Sequence, residues 1–217
     1  MSLKVPDLGM LETMREEYAQ HLANCQALID TIPEQHRMQR RNAGFHADAS
    51  VVAALGNSLG HDNIKLLEIG VWKAATLTYF LKKTGPASTA VGLDVFQFEN
   101  QLLEAKFVIA RQDLVARAEL LVGPSHSIPK PIFDAGQSFD IVHIDGSHTF
   151  MDACRDILIY YHFLKPGGWM VIDDYKDDKH SPEVRTAVDT LVDRNIIRES
   201  NKGSLEGWTN YLIQKAS

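Results

Sequence analysis

The chain is poor in the features that would tie it to a particular compartment or polymer. It has two cysteines in 217 residues, Cys25 and Cys154. They share no metal-like spacing and both sit in helix-like surroundings, which points to buried thiols in a reducing compartment. No apolar run approaches the ~20 residues needed to cross a bilayer, and the N-terminus lacks the apolar core of a signal peptide. A cytoplasmic location with no membrane partner is therefore expected. There is no Lys/Arg run: 22 basic residues face 28 acidic ones, for a formal net charge of −6. Nothing offers a track for nucleic-acid phosphates, so no nucleic-acid partner is expected. Internal repeats and low-complexity tracts are absent, and no Cys/His cluster suggests zinc. What remains is an ordinary globular composition, 45% hydrophobic and 23% charged. The length suits one ample core and is short for two.

Residues 8–30 read as an amphipathic helix, with Leu8, Leu11, Tyr18, Leu22, Leu28 and Ile29 roughly on one face. Pro33 interrupts, and Gln35 to Asn42, including Arg37, Arg40 and Arg41, is polar and basic. It reads as a solvated connector or as a lid over a site. A second helix is expected over 47–59. Then strands and helices alternate: strands at 64–69, 89–94, 119–122, 139–145 and 169–173, with helices at 74–83, 99–117, 149–163 and from Pro182 to about 194. Two further strand candidates, 195–200 and 208–214, are separated by Asn201-Lys202-Gly203 and Glu206-Gly207, which suit a hairpin connection. Alternation of this kind predicts a Rossmann-like, mostly parallel α/β sheet with helices on both faces. The division expected is an N-terminal helical extension, 1–60, and a main domain, 61–217.

Ligands of such sheets bind beyond the carboxyl ends of the strands, and the reactive residues gather there. Phe139-Asp140-Ile141-Val142-His143-Ile144 runs into Asp145-Gly146-Ser147-His148, and Trp169-Met170-Val171-Ile172 runs into Asp173-Asp174-Tyr175. Three carboxylates converging on one edge repel one another unless protons or a cation neutralise them, and a hard ion such as Mg²⁺ suits an all-oxygen set. Each acid could instead be a turn or helix cap. His143 shares a side of its strand with Asp145 and reads as a packed histidine supporting the site. After the first strand, Glu68-Ile69-Gly70 has one glycine where a dinucleotide fingerprint needs three, which favours a ligand without a pyrophosphate. Asp94 ends the next strand and could accept two ribose hydroxyls. Gly123-Pro124-Ser125, after the third, could border an adenine or form a plain turn.

From about Ile64 to Ile213 these pieces, together with Leu164-Lys165-Pro166-Gly167-Gly168 before the fifth strand, resemble the class I S-adenosylmethionine-dependent methyltransferases. The usual additional glycine is replaced by Ala74. The resemblance implies a seven-stranded sheet whose last strand is antiparallel. It also implies S-adenosylmethionine as cofactor, with Glu68 and Gly70 along its methionine part, Asp94 on its ribose, and Gly123, Ser125 and Asp145 nearby. Asp-Gly-Ser-His and Asp-Asp-Tyr are similar to the metal-dependent O-methyltransferases, especially the macrocin/mycinamicin group acting on macrolide sugars. By that likeness Asp145, Asp173 and Asp174 hold Mg²⁺ and His148 is the base. The activity implied is O-methylation of a hydroxylated small molecule: a sugar, diol or catechol. Against it stand a nicotinamide-dependent oxidoreductase, a metal-independent methyltransferase, and a hydroxylase-like or non-catalytic cofactor binder of the same fold. A homo-oligomer through the N-terminal helices is compatible with all of these.

Overall fold

The central strands of the sheet are apolar and largely buried, and each runs out into a glycine or an acid. The computed structural model describes residues 5, 7–38, 47–136, 138–197 and 199–216. Seven strands, β1 (Lys65–Ile69), β2 (Thr89–Asp94), β3 (Ala118–Val122), β4 (Phe139–Ile144), β5 (Leu164–Ile172), β6 (Glu199–Ser204) and β7 (Tyr211–Lys215), lie in the order β3-β2-β1-β4-β5-β7-β6. β1 to β5 are parallel, and β7 runs antiparallel to both β5 and β6. The chain moves outward from β1 to β3, then crosses back to β4 on the other side of β1. The switch point is therefore between β1 and β4, and a cleft is expected beyond their carboxyl ends.

The helices are α1 (Leu8–Ile29), α2 (Ser50–Ser58), α3 (Ala75–Lys83), α4 (Gln101–Arg111), α5 (Lys130–Ala135), α6 (Phe150–Phe163) and α7 (Pro182–Asp193). α1 starts where the Asp7 carboxylate accepts the Met10 N–H, an N-cap. It buries Leu11, Met14, Tyr18, Leu22, Cys25 and Ile29, spaced by three and four residues; such a side chain contributes about 1.5–3 kcal/mol when fully buried. These residues, with α2 and α3, form one core against Leu66, Ile141 and Val171 of the sheet. The opposite face packs Leu67, Val142 and Met170 against Ile157, Tyr160, Val188 and Leu191. α1 and α2 thus share a core with the sheet.

Several elements depart from the sequence reading. α4 ends at Arg111 because Asp113 takes a left-handed φ of 59°, and residues 112–117 are turn. Asn201-Lys202-Gly203 lies inside β6, not in the hairpin connection, which falls on 205–210. β5 starts at Leu164, so the Lys-Pro-Gly-Gly turn is part of its extended edge. α5 has no counterpart in the expected elements. Of the basic stretch, Arg37 donates to the Ile32 carbonyl (2.6 Å) and pairs with Asp30 (3.5 Å); Gln39 to Asn42 lie outside the described residues.

Candidate active site

The rungs of the sheet continue one step past β1, β4 and β5. The Gly70 N–H donates to the Leu93 carbonyl (2.9 Å), Asp145 N–H to Ile69 (2.8 Å) and Asp173 N–H to Ile144 (2.9 Å). This carries Gly70, Asp145 and Asp173 to one edge. The approach there is close: a Cβ on Gly70, whose φ is +85°, would lie 1.8 Å from the Asp145 backbone oxygen. Only glycine lets the two chain ends pass.

Beneath this edge lies a buried polar chain. Glu68 and His143 are register partners on β1 and β4, and His143 Nδ1 is 3.1 Å from Glu68 Oε1. His143 Nε2 lies 3.9 Å from Asp173 Oδ2. Burial opposes a charged His143, but the Glu68 carboxylate, with the charges of Asp145 and Asp173, offsets it and lifts the imidazole to about 9. Burial raises the Glu68 carboxyl in turn. Asp173 is lifted to about 7, by burial first and by the Asp145 charge second. Its Oδ1 accepts from the Asp174 N–H (2.8 Å), Asn210 Nδ2 (2.8 Å) and Thr209 Oγ1 (3.3 Å). His143 is fully buried, the packed histidine that its place on the strand predicts.

Asp174 is turned the other way. Its φ of 60° is left-handed, costly for a residue with a Cβ, and it sends two successive carboxylates to different neighbours. Asp174 Oδ2 accepts from Ser181 Oγ (2.8 Å) and is 3.2 Å from His148 Nε2. Ser181 Oγ also reaches His148 Nδ1 at 2.9 Å. The His148 side chain is 42% exposed, and its Nε2 is 3.9 Å from Asp145 Oδ1. The acids, Asp145 foremost and then Asp174, raise its pKa against partial burial. The three carboxylates thus divide. Among the described residues, His143, Asp145 and Asp173 form one group of converging ligand atoms, and Asp145, His148 and Asp174 another, with Asp145 common to both.

On the cofactor side, Asp94 Oδ2 accepts the N–H groups of Val71 and Trp72 (2.9 Å each), and its Oδ1 that of Phe96 (2.7 Å). The carboxylate thereby holds the loop after β1. Ala74 takes a φ of 60° before α3, the conformation a glycine would adopt freely. Gly123 has open space where a side chain would stand. The Ser125 carbonyl accepts from Tyr160 (2.6 Å). Glu68 Oε2 is buried without a hydrogen-bond partner among the described residues, an uncompensated acceptor that a bound ammonium or hydroxyl would satisfy. The lone acceptor, the open Gly123 and the oxygen-rich ligand groups fit a nucleoside-containing amino acid and a hard cation.

Ser181, Thr209, Asn210 and, on α1, Tyr18 were not singled out from the sequence. Tyr18 is buried with its hydroxyl 2.7 Å from Thr76; burial and the charges of Glu68, Asp145 and Asp173 push its pKa up. The only cue in the sequence was the position of Thr209-Asn210 at the start of a strand.

Comparison with known proteins places this arrangement. An uncharacterized protein of Acanthamoeba polyphaga mimivirus is 25% identical over 152 residues, 68% of each chain. The cofactor-bound Rv0187 of MTB superposes with a TM-score of 0.66 at 17% identity, covering 91% of both chains. An O-methyltransferase from Bacillus cereus in complex with SAH gives 0.59 at 14%, over 94% of this chain and 91% of that one. The fold is that of the class I S-adenosylmethionine-dependent methyltransferases. Residues 67–175, half of the chain and the stretch that carries Glu68, Gly70, Asp94, Asp145, His148, Asp173 and Asp174, match the family model described as a methyltransferase domain, and the chain belongs to that family.

Proposed function

We propose that the protein is a divalent-cation-dependent O-methyltransferase acting on a hydroxylated small molecule. The observation that carries this reading is the position of Asp145. Its carboxylate belongs to both groups of converging ligand atoms, and its backbone abuts the Gly70 loop on the cofactor side. A ligand oxygen and a methyl source would thereby meet at adjacent strand ends. Glu68 and Gly70 would receive the methionine part of the cofactor, Asp94 the ribose, and Gly123 and Ser125 the adenine. Asp145, Asp173 and Asp174 would hold Mg²⁺. When bound, the cation lowers the pKa of a substrate hydroxyl, and S-adenosylmethionine supplies the methyl group.

The chain's own residues do the rest. His148 takes the hydroxyl proton at Nε2 while Ser181 holds its Nδ1. The Glu68–His143 pair stands beside the inner carboxylate, Asp173, and would help to keep it aimed so that the acceptor oxygen and the methyl carbon can be set in line. A sugar, vicinal diol or catechol presents the paired oxygens that an oxygen-rich site suits. A second reading rests on one observation: His148 lies within the outer ligand group, so it could be a ligand to a softer ion instead of a base.

The test uses S-adenosylhomocysteine and Mg²⁺ calorimetry with a methyl-transfer assay on a panel of diols. Asp145→Ala is expected to abolish metal-dependent turnover with cofactor affinity within about threefold of wild type, and His148→Ala to slow methyl transfer by roughly 10²–10⁴-fold with metal retained. Unchanged turnover in Asp145→Ala removes the metal reading. Loss of metal in His148→Ala moves His148 from base to ligand.

A further inference from the structure

The inner carboxylate of the site is reached from the N-terminal region by a chain of contacts that the methyl-transfer reading does not use. Arg15, on α1, lies 4.9 Å above the ring of the buried Trp208, and its Nη2 forms an ion pair with Asp48 Oδ1 at 2.7 Å. Asp48 itself is 4% exposed. Its Oδ2 accepts the Thr209 N–H at 2.8 Å and lies 3.0 Å from Thr209 Oγ1. The same hydroxyl lies 3.3 Å from Asp173 Oδ1, and Asn210 Nδ2 donates to that oxygen at 2.8 Å. Residues separated by 161 positions in sequence are thus fastened to one carboxylate oxygen.

The proton count gives this chain a direction. A threonine hydroxyl has one hydrogen and two acceptors compete for it here. Asp48 already holds Thr209 through its backbone N–H, and the Arg15 guanidinium pairs with the charge of the Asp48 carboxylate. The Arg15 charge beside Asp48 weakens that carboxylate's pull on the shared hydroxyl, so the proton is available to Asp173 Oδ1, 3.3 Å away. With Oδ1 committed to Thr209, Asn210 and the Asp174 N–H, the other oxygen, Oδ2, is left facing His143 and the cation side. Hydrogen bonds of this kind on a ligating carboxylate fix its orientation, and their removal commonly costs 10–100-fold in metal affinity.

We propose that Arg15, Asp48 and Thr209 are positioning residues that orient Asp173 toward a divalent cation, so that the N-terminal region forms part of the metal site and does not merely cover it. This inference rests on the reading of Asp173 as a cation ligand. The probe is Mn²⁺, with binding followed by electron paramagnetic resonance on the full chain and S-adenosylhomocysteine affinity measured alongside. Thr209→Val is expected to weaken Mn²⁺ binding at least tenfold and to leave S-adenosylhomocysteine affinity within twofold. Thr209→Ser, which keeps the hydroxyl, returns Mn²⁺ affinity to within twofold of wild type. Asp48→Asn weakens Mn²⁺ binding as well. The double variant Asp48→Asn/Thr209→Val loses no more than the larger single effect, as members of one chain do. Wild-type Mn²⁺ affinity in both Thr209→Val and Asp48→Asn, even with a lowered melting temperature, reduces these contacts to structural fastening and overturns the proposal. If Thr209→Val does not fold, Asp48→Asn and Thr209→Ser decide by the same criteria. If wild type and Asp145→Ala take up Mn²⁺ equally, it is the metal reading itself that fails, and the proposal with it.

Discussion

Two residues show how tightly the edge of the sheet is built. Gly70 cannot carry a methyl group, because its Cβ would stand 1.8 Å from a backbone oxygen at a φ of +85°. Left-handed strain alone costs an alanine roughly 1–2 kcal/mol, and either β1 or the Asp145 turn must also move. Gly70→Ala is expected to lose more than ~2 kcal/mol in urea unfolding and to weaken S-adenosylhomocysteine binding. Gly123→Ala, which has open space and no positive φ, serves as the folded control. Equal stabilities for the two variants would contradict the close approach. Asp156 is the opposite case, a residue whose charge is poorly provided for. It is 1% exposed, and neither carboxylate oxygen has a hydrogen-bond partner among the described residues. Burial lifts its pKa from 3.8 to about 6, only partly countered by the nearby Ser125 hydroxyl. The folded state therefore binds its proton more tightly than the unfolded state, and stability falls as pH rises from about 4 to about 6, by roughly 2–3 kcal/mol. Asp156→Asn should be more stable than wild type by that amount at pH 7.5, and the advantage should vanish near pH 4. An equal or lower stability at pH 7.5 would mean that the carboxylate is satisfied after all.

Among the elements, α1 carries the most polar cargo for a helix packed into a core. Tyr18 bonds Thr76 (2.7 Å), His21 bonds Thr78 (3.0 Å), and the Met14 carbonyl accepts from Tyr79 (2.9 Å). His21 is 6% exposed, and burial, aided by the charge of Lys82, lowers its pKa from 6.5 to about 4. The imidazole is neutral when folded, so α1 keeps its full stability above pH ~6.5 and loses up to about 3 kcal/mol as pH falls through 4. Hydrogen exchange along α1, corrected for intrinsic rate, should accelerate over that range, and His21→Gln should flatten the dependence. Protection that is constant from pH 7 to 4 would refute it. The elements also differ in how plainly the sequence announces them. β1, β2, β4 and the helices α1, α3, α6 and α7 follow from apolar periodicity and caps to within a residue or two, since each buries a regular face. α5 has six residues and buries only Ile132, too few for a period. α4 stops early because Asp113 adopts a left-handed turn, which no apolar pattern encodes. β6 is partly exposed along its length, so alternation gave no register there. At the site, Asp145, His148, Asp173 and Asp174 were legible because each follows an apolar strand. Asp48 and Thr209 were not, because their role exists only where distant segments meet.

At the scale of the molecule, the decisive fact is where the order of strands reverses. β1 and β4 are neighbours, yet their outgoing connections lead to opposite sides of the sheet. Their carboxyl ends meet both cores: by alternation Glu68 and His143 share the side of Leu66 and Ile141, in the core that includes α1, α2 and α3, and Ile69 and Ile144 lie in the one that includes α6 and α7. A ligand held by Glu68, Gly70 and Asp94 would therefore bind a surface that exists only when both cores are formed. Unfolding destroys the whole site at once, so binding stabilises the entire chain and not one layer. At a concentration 100 times its Kd, a ligand specific to the folded state adds ~2.7 kcal/mol, or roughly 5–11 °C in Tm for a chain of this size. S-adenosylhomocysteine should raise Tm by that amount while unfolding remains a single transition. NADH should not, since the loop after β1 places Val71, Trp72, Lys73 and Ala74 where a dinucleotide's pyrophosphate needs bare glycine backbone. An equal shift with NADH would show that the loop admits a pyrophosphate and would return the oxidoreductase reading. A rise confined to one of two resolved transitions would show instead that the two faces of the sheet unfold separately, and that the cleft belongs to only one of them.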